Sequence, residues 1–178
     1  MSEQQHDQKD TTQSMGKWMG IIGWLFAIYI LTLFFDDQLQ QQENPNRQPE
    51  SSRATDYVEV VLQRNKFGHY VVDGFINNRP VTFMLDTGAT TVAVPSDVAD
   101  QIGLKRGRSY RTQTANGYGT SYDTVIDSLS IGDIMVDDIR GGIGSNMPGG
   151  QVLLGMSVLK QIEFTQRGNK LILRQYYD

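Results

Sequence analysis

MLDTGATTVAVP, Met84 to Pro95, is the stretch on which the reading of this 178-residue chain turns. An apolar strand, Val81-Thr82-Phe83-Met84-Leu85, runs straight into Asp86-Thr87-Gly88, and extended structure resumes over Thr91 to Val94. A carboxylate at that point stands at the mouth of a β-core rather than on an open face. Gly88 permits a sharp turn and the close approach of another backbone. Thr87 carries a hydroxyl that can pin the turn to backbone. All three residues favour turns, so a plain turn is the simple alternative. The flanks set this tripeptide apart: an apolar strand before it, β-branched residues after it.

Working outward, the chain from Ala54 to Asp178 reads as short strands punctuated by turns. Tyr57 to Leu62 and His69 to Ile76 flank Asn65-Lys66-Phe67-Gly68, and Asn77-Asn78-Arg79-Pro80 makes a second turn. Ser96 is placed to cap a short helix through Ile102, with Gly103 to end it. Tyr110 to Thr114 and Tyr118 to Val125 flank Ala115-Asn116-Gly117, where Asn-Gly is a strong hairpin signal. Ile126 to Ile131 and Ile134 to Ile139 pair across Gly132-Asp133. A Gly-rich loop is expected from Gly141 to Gly150, then a buried strand Val152 to Leu154 and a short helix from Met156 to Lys160. The chain closes with a hairpin, Ile162 to Thr165 and Lys170 to Leu173, turned by Arg167-Gly168-Asn169. Many short strands and two brief helices predict an all-β, barrel-like domain over 54–178.

Toward the N-terminus the composition changes twice. Trp18 to Phe35, WMGIIGWLFAIYILTLFF, holds no charge and ends sharply at Asp36-Asp37. With Met15 to Lys17 it is long enough to cross a bilayer, so 15–35 is read as a transmembrane anchor helix. A cleaved signal peptide would need small residues at the junction, and Phe34-Phe35-Asp36-Asp37 offers none. Lys17 is the basic residue beside the span, which favours a cytoplasmic N-terminus and a periplasmic or extracytoplasmic domain. Residues 1–14 read as a polar, disordered cytoplasmic tail. Residues 36–53, rich in Gln with two Pro, read as a flexible linker with a reach of about 20–25 Å.

Composition narrows the chemistry. Sixteen Lys+Arg against 20 Asp+Glu leave a net charge of −4, which argues against nucleic acid as a partner. There is no Cys and there are two His, His6 and His69, so thiol catalysis and a Cys/His zinc site are excluded. No cofactor or metal is expected. Gly141 to Gly150 is followed by no Gly-Lys-Ser/Thr and fits no phosphate loop. Gly155-Met156-Ser157 lacks the second Gly of a nucleophile elbow. Lys105, Arg106, Arg108 and Arg111 form a small basic cluster whose default is a solvated face.

Three pieces, in order, resemble the retropepsin-like (clan AA) aspartic proteases of the bacterial single-domain, membrane-anchored type. Met84 to Pro95 resembles the catalytic loop. Thr114-Ala115-Asn116-Gly117 lies in a strand–turn–strand that is similar to the flap. Val152 to Leu159, VLLGMSVL, is similar to the apolar segment and Gly that precede the C-terminal helix. The resemblance implies a closed acid-protease barrel and hydrolysis of peptide bonds. It also implies catalytic roles for Asp86, Thr87 and Gly88, and substrate contacts from Ala89, Thr114, Ala115, Asn116, Gly117 and Tyr118.

Asp86 is in the only Asp-Thr-Gly or Asp-Ser-Gly of the chain. Aspartic proteolysis needs two carboxylates sharing a proton, one acting as base while the other acts as acid. A homodimer with one Asp86 from each protomer is therefore expected, with a peptide or protein as substrate. The competing reading is a non-catalytic peptide- or envelope-binding module on the same fold.

Overall fold

The computed structural model describes residues 7–114, 117–144, 147 and 149–177. The chain divides into two units after Gln40. The first is dominated by α1 (Asp7–Glu43), 37 residues long. Its side chains from Trp18 to Phe35, including Trp18, Trp24, Leu25 and Phe34, are exposed over the whole circumference. Among the described residues it is the one helix long and apolar enough to cross a membrane. Helix is already present at Asp7, within the segment read as a disordered tail, and residues 1–6 lie outside the described residues.

The linker expectation for 36–53 needs correcting. Helix α1 continues through Asp36 and Asp37 to Glu43, because Leu, Gln and Glu are good helix formers, and Pro45 prevents it from going further. Beyond it, Asn46 is buried and stitches two strands together. Its Nδ2 donates to the carbonyls of Gln63 (2.9 Å) and Val71 (2.6 Å), and its Oδ1 accepts from the Gln63 amide at 2.6 Å. Residues Glu50–Arg53 form strand β1, paired antiparallel with β2 (Tyr57–Gln63). Asn46, one of two Asn among Gln and Pro, carries no local sign of these long-range bonds.

Strands β2, β1, β10 (Glu163–Arg167) and β11 (Lys170–Tyr176) make a four-stranded sheet in the order β1-β2-β11-β10. The other strands are β3 (Val71–Ile76), β4 (Arg79–Leu85), β5 (Val92–Pro95), β6 (Ser109–Thr114), β7 (Gly117–Ile131), β8 (Ile134–Gly144) and β9 (Val152–Leu154). Their order is β3-β4-β9-β5-β8-β7-β6, and β3 also pairs with β7. That last pairing closes six strands into a ring and leaves β6 projecting as the outer arm of a hairpin. Gly74 makes the closure possible, since a β-carbon there would sit 2.9 Å from the Phe83 ring and closer still to the Ser130 carbonyl. Inside lies one apolar cluster that includes Val60, Leu62, Phe83, Val92, Ile126, Leu154 and Leu173. Period-two burial along β2 feeds Val58, Val60 and Leu62 into it.

Three local expectations differ. Tyr118–Val125 and Ile126–Ile131, read as separate arms, form the single strand β7, because β8 pairs with it across the expected boundary, Val125 beside Arg140 and Ile126 beside Ile139. Gly141, Gly142 and Gly144 belong to β8 and not to a loop; β8 runs parallel to β5, and a β-carbon on Gly141 would meet the Val92 carbonyl at 3.1 Å. The Ser96 hydroxyl does not cap helix α2 (Ser96–Ile102); it donates to the Gly144 carbonyl at 3.1 Å, while Pro95 occupies the cap position. Gly103 does end α2, in the left-handed conformation at φ 76°.

Candidate active site

Asp86 leaves the sheet at the C-terminal end of β4, where that strand runs parallel to β9 with Leu85 beside Leu154. The Leu85 amide donates to the Tyr70 carbonyl at 3.0 Å, and the Asp86 amide to the Leu154 carbonyl at 3.2 Å. Both sides of the strand end are thus held before the chain turns. The turn is closed by the Ala89 amide on the Asp86 carbonyl at 3.2 Å. The Asp86 carboxylate is half-buried, and its Oδ1 accepts from the Gly88 amide at 2.9 Å. This bond fixes the carboxylate within its own turn and leaves Oδ2 for other partners. Thr87 and Gly88 are exposed at the apex. A β-carbon on Gly88 would lie 3.1 Å from Asp86 Oδ1, so glycine here keeps room beside the carboxylate.

A second segment buttresses the turn from below. Helix α3 (Met156–Leu159) begins directly after β9, with Gly155 between them. The Met156 amide donates to the Ala89 carbonyl at 2.8 Å and the Ser157 amide to the Thr90 carbonyl at 3.0 Å. In return the Val92 amide donates to Ser157 Oγ at 3.2 Å. Two of the amides at the start of α3, which no intrahelical carbonyl can satisfy, are thereby spent on the loop that follows Asp86. Gly155 permits the contact: a β-carbon would lie 2.6 Å from the Ala89 carbonyl and nearer still to that of Thr91. The sequence reading includes this segment but assigns no role to Gly155 or Ser157. The available signal is an isolated Gly between an apolar strand and a helix, which marks a close backbone approach.

The β6–β7 hairpin is a separate element, joined to the Asp86 turn through β8 and β5. Thr114 pairs with Gly117 at its tip, and Gly117 has a φ of 101° that suits a glycine. Ala115 and Asn116, expected to touch substrate, lie outside the described residues, as does the Thr114 side chain. Tyr118 is 63% exposed, with the Arg111 guanidinium 4.3 Å from the centre of its ring. Thr112, opposite Gly119, has a buried hydroxyl with no hydrogen-bond partner. Tyr110 reaches across to β8, where a β-carbon on Gly142 would come within 2.5 Å of its hydroxyl. The turn of Asp86, Thr87, Gly88 and Ala89 is therefore one constellation, and Gly117 and Tyr118 belong to another.

The basic cluster is largely engaged locally. Arg106 forks onto both carboxylate oxygens of Asp100 and holds that acid below its ordinary range, chiefly through the hydrogen bonds. Arg108 stands 3.8 Å from Asp123. Clefts of about 410 Å³ (around Asp73, Phe75 and Ile102) and 740 Å³ (around Lys105, Asp123 and Arg140) open elsewhere on the body, and Asp86 lines neither. Among the described residues no group of three His, Asp or Glu could hold a metal ion.

Residues 72–161, half of the chain, match the family described as gag-polyprotein putative aspartyl protease. An uncharacterized protein of Rickettsia prowazekii is 30% identical over 134 residues, covering 72% of this chain and 56% of the relative's length. A Sinorhizobium protein encoded in the region 5′ of cobV is 27% identical over 164 residues, 88% of this chain and 70% of that one. Among solved structures, a retropepsin-like aspartic protease from Rickettsia conorii superposes with a TM-score of 0.56 at 27% identity, covering 72% of this chain and 96% of that one. The fold is thus the retropepsin-like β fold with few short helices, plus a long apolar N-terminal helix.

Proposed function

The chain belongs to the gag-polyprotein putative aspartyl protease family, and from that premise we propose that it is a membrane-anchored aspartic endopeptidase working as a homodimer. The observation that carries the reading is the turn at Asp86: a single Asp-Thr-Gly per chain, its carboxylate half-buried, with Oδ1 held by the Gly88 amide at 2.9 Å. One such carboxylate is half of a machine. Two of them about a two-fold axis share a proton, because like charges about 3 Å apart do not both ionise. The ionised Asp86 draws a proton from a water, which adds to the scissile carbonyl. The protonated Asp86 then delivers its proton to the leaving nitrogen. No covalent intermediate with the protein is needed.

The roles of the neighbours follow. Thr87, exposed at the apex, meets its twin across the axis, and Gly88 keeps the carboxylates uncrowded. Ala89 and the hairpin residues Thr114 to Tyr118 receive an extended peptide, which adds to the hairpin as a further strand. Helix α1 spans the inner membrane with its N-terminus in the cytoplasm and the β body on the far side. Confinement to one membrane raises the effective concentration of the two halves.

The test uses the full chain in detergent micelles with a peptide library across a range of pH. Cleavage is expected, and Asp86→Asn should lower it by about 10²–10⁴-fold without changing the circular-dichroism spectrum. Peptide binding without cleavage, equal in both proteins, would instead identify a binding module.

A further inference from the structure

The 740 Å³ cleft around Lys105, Asp123 and Arg140 opens on a stretch of β7 that carries a strand on one edge only. β8 takes that edge from Ser121 to Ile131. The opposite edge is covered in two pieces. β6 pairs with Gly117 to Tyr122, and the chain before it adds one residue more. The Gly107 amide donates to the Asp123 carbonyl at 2.7 Å, and the Asp123 amide to the Arg108 carbonyl at 3.0 Å. Farther along, β3 pairs with Leu129 and Ser130, and the Asn77 amide donates to the Ser128 carbonyl at 2.9 Å. Between Asp123 and Ser128 no strand among the described residues covers this edge. Hydrogen-bonding direction alternates along an antiparallel strand, and the register with β8 is continuous from Ser121 to Ile126. The N–H and C=O of Val125 therefore point the same way as those of Asp123, into the gap.

The side chains around the gap set its chemistry. Val125 is 61% exposed. The charged residues lining the cleft are Lys105, Arg106, Arg108 and Arg140, with Asp123 and Asp127. Arg106 is spent on Asp100, and Arg108 stands 3.8 Å from Asp123. Lys105 and Arg140 are exposed, and among the described residues neither makes an ion pair. Both flank one point of β7. Thr124 Oγ1 donates to the Lys105 carbonyl at 2.9 Å, while Arg140 is the cross-strand partner of Val125. Asp127 lies toward the Asn77 end of the gap, away from Lys105.

An open strand edge beside an exposed Val is a place where another strand can add. Every second side chain of such a strand shares the face of Val125 and Arg140. A carboxylate there meets Lys105 and Arg140, whereas an ammonium or guanidinium is repelled.

We propose that this gap is a docking groove for an acidic, extended peptide segment. The segment hydrogen-bonds to the Val125 backbone as a short added strand and lays carboxylate side chains against Lys105 and Arg140. Asp86 does not line the cleft, and the groove does not depend on peptidase activity.

Binding is measured by fluorescence anisotropy on the full Asp86→Asn chain in detergent micelles, so that no cleavage intervenes. The probe is a short dye-labelled peptide of alternating Val and Glu. Saturable binding is expected, weakened by added salt. A peptide of alternating Val and Lys should not bind. Nor should the Val–Glu peptide N-methylated at every residue, which cannot donate to the Val125 carbonyl. Lys105→Glu and Arg140→Glu, both at exposed positions, should each raise Kd about fivefold with an unchanged circular-dichroism spectrum. Tyr118→Ala, on the hairpin, should leave Kd where it is.

No saturable binding, equal binding of the Val–Lys peptide, or a Kd that neither charge reversal moves overturns the proposal. Binding lost in Tyr118→Ala but kept in both reversals assigns the peptide to the hairpin and overturns it too. Undiminished binding of the N-methylated peptide leaves a charge contact alone and sinks the added strand. Absence of cleavage by the unsubstituted chain would bear on the peptidase reading and leave this groove untouched.

Discussion

The turn at Asp86 and the β6–β7 hairpin are both read from the sequence as parts of one site, yet they are held in opposite ways. The turn is clamped from every side. Leu154 and Tyr70 hold the strand that enters it, and Met156 and Ser157 hold the chain that leaves it. The hairpin is a two-stranded ribbon with an exposed Tyr118 stacked on Arg111. Under the proposed homodimer, a carboxylate that meets its twin within hydrogen-bond distance tolerates little positional error. A strand that closes over peptides of varied sequence needs the reverse. On the proposed reading the difference between the two regions is a division of labour, and it can be attacked from either side.

The largest effect on the clamped side is expected at Gly155. A β-carbon there must lie about as close to the Ala89 and Thr91 carbonyls as a covalent 1,3 neighbour, and neither backbone can retreat without breaking a bond to Met156 or Ser157. Gly155→Ala should cost about 1–3 kcal/mol, the usual range for overpacking a closed core. It should also displace the Asp86 turn, so that the proposed peptidase activity falls by more than the stability loss alone explains. Urea denaturation followed by activity at a temperature where the variant is folded separates the two. An unchanged midpoint would mean the loop is not clamped as described.

Ser157→Ala is the gentler test of the same clamp. It removes the hydroxyl oxygen that accepts from the Val92 amide, and Val92 itself is fully buried. An unsatisfied buried amide costs about 1–3 kcal/mol, with the lower end expected here because a water can enter from the exposed apex. Amide exchange at Val92 should accelerate, while exchange at Val60 in the core of β2 should not. Uniform acceleration across both would show global loosening instead of a local clamp.

The clamp and the hairpin also differ in how much of them could be read from residues. The strand–turn–strand around Asp86 is legible because apolar periodicity and turn formers sit next to each other in sequence. The same holds for Asn77-Asn78, both at positive φ in the β3–β4 turn, and for Gly103 at the end of α2. What fails is whatever depends on a partner far along the chain. Asn46 reads as linker because its partners are Gln63 and Val71. Gly141, Gly142 and Gly144 read as loop because glycine usually marks one, whereas here the bare backbone admits β5 and the Tyr110 ring. Ser96 reads as a cap by position, but Gly144 competes for its hydroxyl. The importance of Gly155 and Ser157 emerges only once Ala89 and Thr91 are seen against them.

On the adaptable side the smallest change in stability is expected, and it makes the sharpest contrast. Tyr118 is mostly solvent-exposed, and its stack with Arg111 lies outside the apolar cluster. Surface substitutions of this kind usually stay within about 0.5 kcal/mol. Tyr118→Ala should therefore leave the denaturation midpoint where it is. If the hairpin closes on peptide, losing the aromatic ring removes contact area in the bound complex. The contact is made to substrate and transition state alike, so KM rises while kcat holds. Arg111→Ala, which frees the ring but leaves it in place, should have the weaker effect of the two. A fall in kcat at constant KM would move Tyr118 from the adaptable half of the site to the catalytic half. A loss of stability comparable to that of Gly155→Ala would erase the contrast between the two regions altogether.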